Sequence, residues 1–117
     1  MNEDLLKRRT KDFAHSCVKL SLSITKSILG NHLAGQLIRC STSVPSNYRS
    51  ACLAQSRASF IAKISIVLEE IDEAVFWLEF IRDEKLGKSY LLPALIDEAN
   101  ELKAIFYTSR KTARRNK

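Results

Sequence analysis

The chain has 117 residues, 45% of them hydrophobic and 27% charged, which is the length and composition of one globular domain. Three glycines and two prolines are too few for the turns of an all-β domain, and no apolar run is long enough to span a membrane. The formal charge of +6 is uneven, since residues 13–68 hold no acid, residues 69–101 hold ten acids and three bases, and residues 110–117 hold five bases. This pattern indicates either charge pairing between helices or subunits, or a basic surface for a polyanion.

Apolar residues spaced three and four apart predict a first helix over about residues 3–29. Its stripe runs through Leu6, Phe13, Cys17, Leu20, Ile24 and Ile28. Gly30 and Asn31 follow this stripe and are predicted to end the helix as a C-cap.

A second helix is predicted over about residues 33–54, although Pro45 lies in its middle. Proline there removes a backbone donor and collides with the preceding turn, at a cost of about 3 kcal/mol. The hydroxyls of residues 41–43 are expected to donate to the backbone carbonyls that lose a partner at the proline, and Asn47 is expected to bridge the next turn. We therefore predict that the second helix is continuous but kinked at Pro45.

Ser56 is a suitable N-cap for a third helix over about residues 57–85. A fourth helix is predicted over about residues 90–109, with Pro93 in its first turn, where a missing donor costs little. Residues 110–117 are predicted to form a frayed or disordered basic tail. Four helices with short connections predict an all-α, antiparallel up-and-down four-helix bundle over residues 1–109.

Three aromatic residues of the third helix do not fit an isolated bundle. The seam of this helix is Phe60, Ile64, Val67, Ile71, Ala74, Leu78 and Ile81. Phe76, Trp77 and Phe80 lie off that seam, on faces that a monomer would give to water. We interpret them as an oligomer interface, the alternative being that loops of the same chain cover the three rings.

Three segments resemble the 23S rRNA-intervening sequence proteins, also called four helix bundle proteins. They are RCSTSVPSNYR (39–49), SRASFIAK (56–63) and the stretch from Glu73 to Leu78, and the resemblance spans about residues 13–106. It implies a homopentamer and a structural role for the motif residues Ser43, Pro45, Ser46 and Asn47. Some members are encoded within insertions of ribosomal RNA genes. A distantly similar group serves diversity-generating retroelements, which implies a reverse transcriptase or another nucleic-acid enzyme as a partner.

Two positions depart from the pattern of many family members. Ser50 stands where an acid is common, and Ser59 stands where Asp or Glu would complete a capping box. A role for an acidic group at position 50 therefore does not carry over to this chain.

Residues that could support catalysis or metal binding are sparse. Neither His15 nor His32 follows a Glu by three residues, so the di-iron motif of helical bundles is excluded. His15 and Cys17 are two residues apart and point to different sides of a helix. With three glycines in the chain there is no glycine-rich phosphate loop. We predict no catalytic residue, no metal and no cofactor.

The cysteines and the N-terminal segment favour a cytoplasmic protein. Cys17, Cys40 and Cys52 cannot all pair within one chain, and each lies on or beside an apolar helical face, which predicts core thiols. The N-terminal residues lack the apolar core of a signal peptide. We expect no membrane partner.

The preferred hypothesis is a non-catalytic, homo-oligomeric adaptor that binds the phosphate backbone of RNA or DNA with little sequence preference. Its predicted phosphate contacts are Arg39, Arg49, Arg57, Lys63, Arg110, Lys111, Arg114, Arg115 and Lys117. The alternative is a protein-interaction scaffold without nucleic-acid binding. A distant third hypothesis is a nuclease, based on the loose spacing of Arg9 and His15, which is similar to the Arg and His pair of some small helical RNases.

Overall fold

The computed structural model describes residues 2–116 as a bundle of four α-helices. These helices are α1 (Glu3–Leu22), α2 (Ile28–Cys52), α3 (Arg57–Asp83) and α4 (Leu92–Arg115), with one turn of 3-10 helix (Ser89–Leu91) before α4. Each helix packs along the next one in the chain, and α1 meets α4 over a shorter stretch. The result is a rod of 49 × 21 × 21 Å, which confirms the predicted all-α four-helix bundle.

The core follows the predicted heptad seams. On α3 the seam residues from Ile64 to Ile81 are buried, and Phe60 at the start of the helix is partly buried. Phe13, Leu37 and Phe106 bring the other three helices into the same core. Cys17 and Cys40 are fully buried there, as expected for thiols that act as small hydrophobic groups.

The predicted boundary between the first two helices was wrong by several residues. The Ser23 backbone N–H and hydroxyl both donate to the Leu20 carbonyl, at 3.0 and 2.6 Å, and close α1. Ser27 then caps α2 by accepting from the Gly30 N–H at 2.8 Å. Ile24 is buried although it lies in the connection. Because it follows Leu20 by four residues, as a core residue of a helix would, the sequence predicted a longer first helix. Ile28, predicted as core, is 95% exposed.

Gly30 is therefore not a C-cap but lies in the first turn of α2. A Cβ atom at this position would lie 2.5 Å from the Thr25 carbonyl oxygen and 2.9 Å from Cγ2 of Ile24. The glycine is needed because the connection crosses directly over the helix here.

Helix α2 runs through Pro45 without a break from Ile28 to Cys52. The Thr42 hydroxyl donates to the Ile38 carbonyl at 2.7 Å, and Asn47 Nδ2 donates to the Ser43 carbonyl at 3.0 Å and to the Ser43 hydroxyl at 2.8 Å. The continuity of the helix and the bridge made by Asn47 are thus confirmed. The acceptors differ from our expectation, because the carbonyl that Pro45 deprives of its helical donor is that of Ser41. The kink stays a prediction.

The predicted disordered tail was also wrong, since α4 continues to Arg115. Its last three turns lie beside the start of α3, where Arg110 Nη1 donates to Ser65 Oγ at 3.3 Å. Basic residues in a last helical turn also interact favourably with the helix dipole. Lys117 lies outside the described residues.

The connection between α3 and α4 turns at Gly87, with a φ of 70° that favours glycine. The Lys88 N–H donates to Ser23 Oγ at 3.0 Å, so this connection packs against the one between α1 and α2. Among residues 2–116, no helix has the length and apolar character needed to cross a lipid bilayer.

Candidate nucleic-acid interface

The antiparallel path of the helices brings most of the predicted phosphate contacts to one end of the rod. At this end, which we call the basic end, α1 and α3 begin while α2 and α4 finish. Two contacts fix the arrangement. Arg110 reaches Ser65 on α3, and the Tyr48 and Phe106 rings of α2 and α4 lie 5.1 Å apart. The predicted contacts located here are Arg49, Arg57, Lys63, Arg110, Lys111, Arg114 and Arg115.

The charged groups at the basic end are open to solvent. Arg49, Arg57 and the basic residues 111, 114 and 115 are exposed, whereas Lys63 and Arg110 are partly buried. Over residues 2–116, none of these seven side chains forms a salt bridge. Their positive charge is therefore not neutralised within the described part of the chain and can act on an anion outside it.

Acidic residues concentrate away from this end. Ten of the thirteen acids lie within residues 69–101, which form the later part of α3, the connection and the first half of α4. The other three are on α1, which begins at the basic end, and there Glu3 pairs with Lys7 at 3.2 Å. The uneven charge of the sequence thus becomes a separation of charge along the rod, and the basic end carries the excess of positive charge.

Tyr107 is a residue of this region that sequence reasoning missed. It is 57% exposed, and the guanidinium of Arg110 lies over its ring at 5.8 Å from the ring centroid. The available signal was its spacing, since Arg110, Lys111 and Arg114 follow it by three, four and seven residues and share its helix face.

Arg39 does not belong to the basic end. It lies on α2 beside α3, where Nη1 is 3.2 Å from a Glu70 carboxylate oxygen and Nη2 pairs with the Glu73 carboxylate. Its Nε also donates to Gln36 Oε1 at 3.3 Å. Because two carboxylates already neutralise this guanidinium, Arg39 differs from the basic residues of the basic end, which form no salt bridge within residues 2–116.

The structure separates the three aromatic residues of α3 into two kinds. Trp77 packs within the chain: its ring meets His32 edge-on at 5.5 Å, and its Nε1 donates to a Glu73 oxygen at 3.0 Å. Phe76 and Phe80 are 52% and 37% exposed, with ring centroids 6.0 Å apart.

Ile66 is also exposed on α3, but it lies ten residues, or about 15 Å, before Phe76 and is closer to the basic end. A single off-seam isoleucine of this kind is common on protein surfaces and gives no signal in the sequence. We call Phe76 and Phe80 the exposed α3 face.

Two buried thiols that could have supported catalysis are poor nucleophiles. Burial raises the pKa of Cys40 to about 11, and burial also raises the pKa of Cys17, so both thiols are protonated near neutral pH and are weak nucleophiles. Within residues 2–116 there is no cluster of three or more His, Cys, Asp or Glu side chains that could hold a metal ion.

Arg9, which was considered for a nuclease, instead ties α1 to α4. Its Nη2 and Nε are 2.6 and 3.1 Å from the two carboxylate oxygens of Glu98, and Nη2 is also 3.0 Å from Glu101. The hydrogen bond to Glu98 is the main reason that the pKa of Arg9 is raised, with Glu101 adding to it. This bidentate ion pair, which we call the α1–α4 clasp, holds the two helices together and therefore has a structural role.

Comparison with known proteins places the chain in a family. The model of the 23S rRNA-intervening sequence protein family matches residues 5–108. A solved structure from Bacteroides thetaiotaomicron, described as a protein with unknown function from the S23 ribosomal protein family, is 26% identical. It superposes with a TM-score of 0.81 over 91% of this chain and 98% of its own. No curated protein matches the chain. The chain belongs to the 23S rRNA-intervening sequence protein family.

Proposed function

We propose that this protein is a non-catalytic, homo-oligomeric adaptor that binds the phosphate backbone of RNA or DNA through its basic end. The observation that supports this proposal is the group of seven basic side chains that form no salt bridge within residues 2–116. Such a surface binds polyanions by releasing their counterions, with little dependence on sequence. The three free cysteines of the protein are compatible with the reducing environment of the cytoplasm.

Paired charge-neutralising variants test the proposal. Arg114→Gln with Arg115→Gln removes two exposed charges from the basic end, and Lys85→Gln with Lys88→Gln removes two exposed charges near the opposite end. Binding of a labelled oligonucleotide is followed by fluorescence polarisation over a series of salt concentrations.

The slope of log affinity against log salt should flatten by about 0.7 for each single-strand phosphate that the first variant no longer neutralises. The slope should stay unchanged in the variant that carries Lys85→Gln and Lys88→Gln. Equal losses of affinity in both variants would show that only net charge matters, and absence of binding by the unmodified protein at low salt would refute the proposal.

We propose self-association through the exposed α3 face, and the family resemblance favours a pentamer. Aromatic side chains exposed together are typical of interfaces, because monomers seldom leave such groups in water. Light scattering after size exclusion measures the mass directly. A particle of only 13.3 kDa at micromolar concentration would contradict this part of the proposal.

A protein-interaction scaffold is the second candidate function. The exposed α3 face supports it, because Glu69 and Glu79 lie seven residues before and three residues after Phe76 on the same helix. This combination suits a partner with a basic surface, such as a reverse transcriptase or another enzyme that itself binds nucleic acid. Binding to such a partner without any retention of RNA or DNA would favour this candidate over the first.

A further inference from the structure

Two adjoining surface clefts on α4 share a wall made by Tyr107 and Arg110. The first cleft, of about 240 Å³, is lined by Tyr107 and the four basic residues Arg110, Lys111, Arg114 and Arg115. The second, of about 520 Å³, lies on the other side and extends to Leu68 on α3 and to Asn100 and Lys103 on α4. None of the residues that line either cleft is acidic.

The two clefts differ in chemistry. The smaller cleft offers only cations beside the tyrosine ring, which suits a phosphate group. The larger cleft has an apolar floor at Leu68, an aromatic wall at Tyr107 and an amide at Asn100 that can both donate and accept. An aromatic wall with a few polar groups around it suits a planar heterocycle better than it suits a second phosphate.

The shared wall is held in place. Arg110 is partly buried and donates to Ser65 Oγ at 3.3 Å, while its guanidinium lies over the Tyr107 ring. Tyr107 itself is more than half exposed, so part of its ring remains available to a ligand. A guanidinium fixed on an aromatic ring costs little further ordering when a nucleotide arrives.

We infer that this double cleft binds one nucleotide of an unpaired strand, with the base against Tyr107 in the larger cleft and a flanking phosphate among Arg110, Lys111 and Arg114. This inference rests on the proposed nucleic-acid function and adds a preference for single strands. A base within a duplex is stacked and paired, so it cannot place its face against a side chain.

The experiment compares three labelled probes: a short single strand, an abasic strand with the same number of phosphates, and a duplex of the same length. The variants of the full chain are Tyr107→Ala and Tyr107→Phe. Tyr90→Ala is the matched control, since Tyr90 is also exposed but lies near the opposite end of the rod. Alanine is the best helix former, so replacement at an exposed helical position should preserve the fold.

Tyr107→Ala should weaken binding of the single strand by about 5- to 100-fold while leaving the abasic strand unchanged. Tyr107→Phe should restore binding, and Tyr90→Ala should have no effect. If the unmodified protein binds the abasic strand as tightly as the single strand, or if Tyr107→Ala affects both equally, the stacking site is refuted while backbone binding stands. If the unmodified protein binds none of the three probes, the proposed function itself fails.

Discussion

Two glycines of α2 provide a matched pair of substitutions with opposite expected effects on stability. A Cβ atom at Gly30 would lie 2.5 Å from the Thr25 carbonyl oxygen and 2.9 Å from both Cγ2 of Ile24 and Oγ of Ser27. A Cβ atom at Gly35 would have no neighbour within 4 Å. Both residues are helical, so the substitution Gly→Ala differs between them mainly in the space around the added methyl group.

The expected magnitudes follow from this difference. Forcing a methyl group into occupied space costs about 1–3 kcal/mol, while alanine gains up to about 1 kcal/mol over glycine in a helix. Gly30→Ala should therefore lower the free energy of unfolding by about 1–2 kcal/mol, because a backbone carbonyl cannot move away as a flexible side chain would. Gly35→Ala should raise it by about 0.5–1 kcal/mol.

Urea denaturation followed by circular dichroism measures both effects, with every variant at the same protein concentration because self-association would shift the midpoint. The m-value should stay constant, so that the midpoint alone reports stability. A Gly30→Ala protein as stable as the unmodified one would refute the close crossing of the α1–α2 connection over α2. A destabilised Gly35→Ala protein would mean that something covers that face of α2.

Two further predictions concern the clasp between α1 and α4 and the buried thiols. Arg9→Met should lower the free energy of unfolding by about 1 kcal/mol, because it removes the bidentate pairing with Glu98. The control Arg8→Met, at an exposed position, should change the free energy of unfolding by less than about 0.5 kcal/mol. Urea titrations measure both values. A thiol reagent at neutral pH should modify the partly buried Cys52 first and should modify Cys17 and Cys40 only after unfolding. Because burial raises the pKa of Cys40 from 9.0 to about 11, its contribution to stability should be complete below about pH 9 and lost as the pH rises through about 11. The urea midpoint should therefore fall in that alkaline range, and it should fall less in Cys40→Ala; equal falls in both proteins would contradict this origin.

The parts of the fold that the sequence predicts well are those where one long periodic pattern dominates. The α3 seam from Ile64 to Ile81 alternates by three and four over several turns, and the structure buries it as expected. The boundary between α1 and α2 failed because Ile24 keeps the helical spacing while it packs into the core from a connection. Only the serines at 23 and 27 indicated the break, and serine is ambiguous because it also occurs within helices.

The candidate site is less predictable, because its properties depend on which helices are neighbours. A count of basic residues cannot separate Arg39, which is paired with two carboxylates of α3, from Arg49 ten residues later on the same helix. In the same way, Phe76 and Trp77 are adjacent in sequence, yet the indole finds His32 and Glu73 while the phenyl ring remains exposed. Long-range pairing of this kind leaves no periodic signal in one sequence.

Self-association and nucleic-acid binding, as proposed, should be coupled even though they use distant parts of the rod. Phe80 lies about 35 Å along α3 from Arg57, so changing it leaves the phosphate-binding groups of the basic end intact. Phe76→Gln with Phe80→Gln keeps the charge and helix propensity while removing the exposed aromatic groups. If assembly places several basic ends on one strand, this variant should dissociate and bind at least about tenfold more weakly, with a smaller salt slope, because fewer phosphates are contacted at once. The control Tyr90→Gln removes an exposed aromatic ring that lies outside the exposed α3 face. This variant should neither dissociate nor bind nucleic acid more weakly. A protein that dissociates but keeps its affinity and salt slope would show that each protomer binds alone.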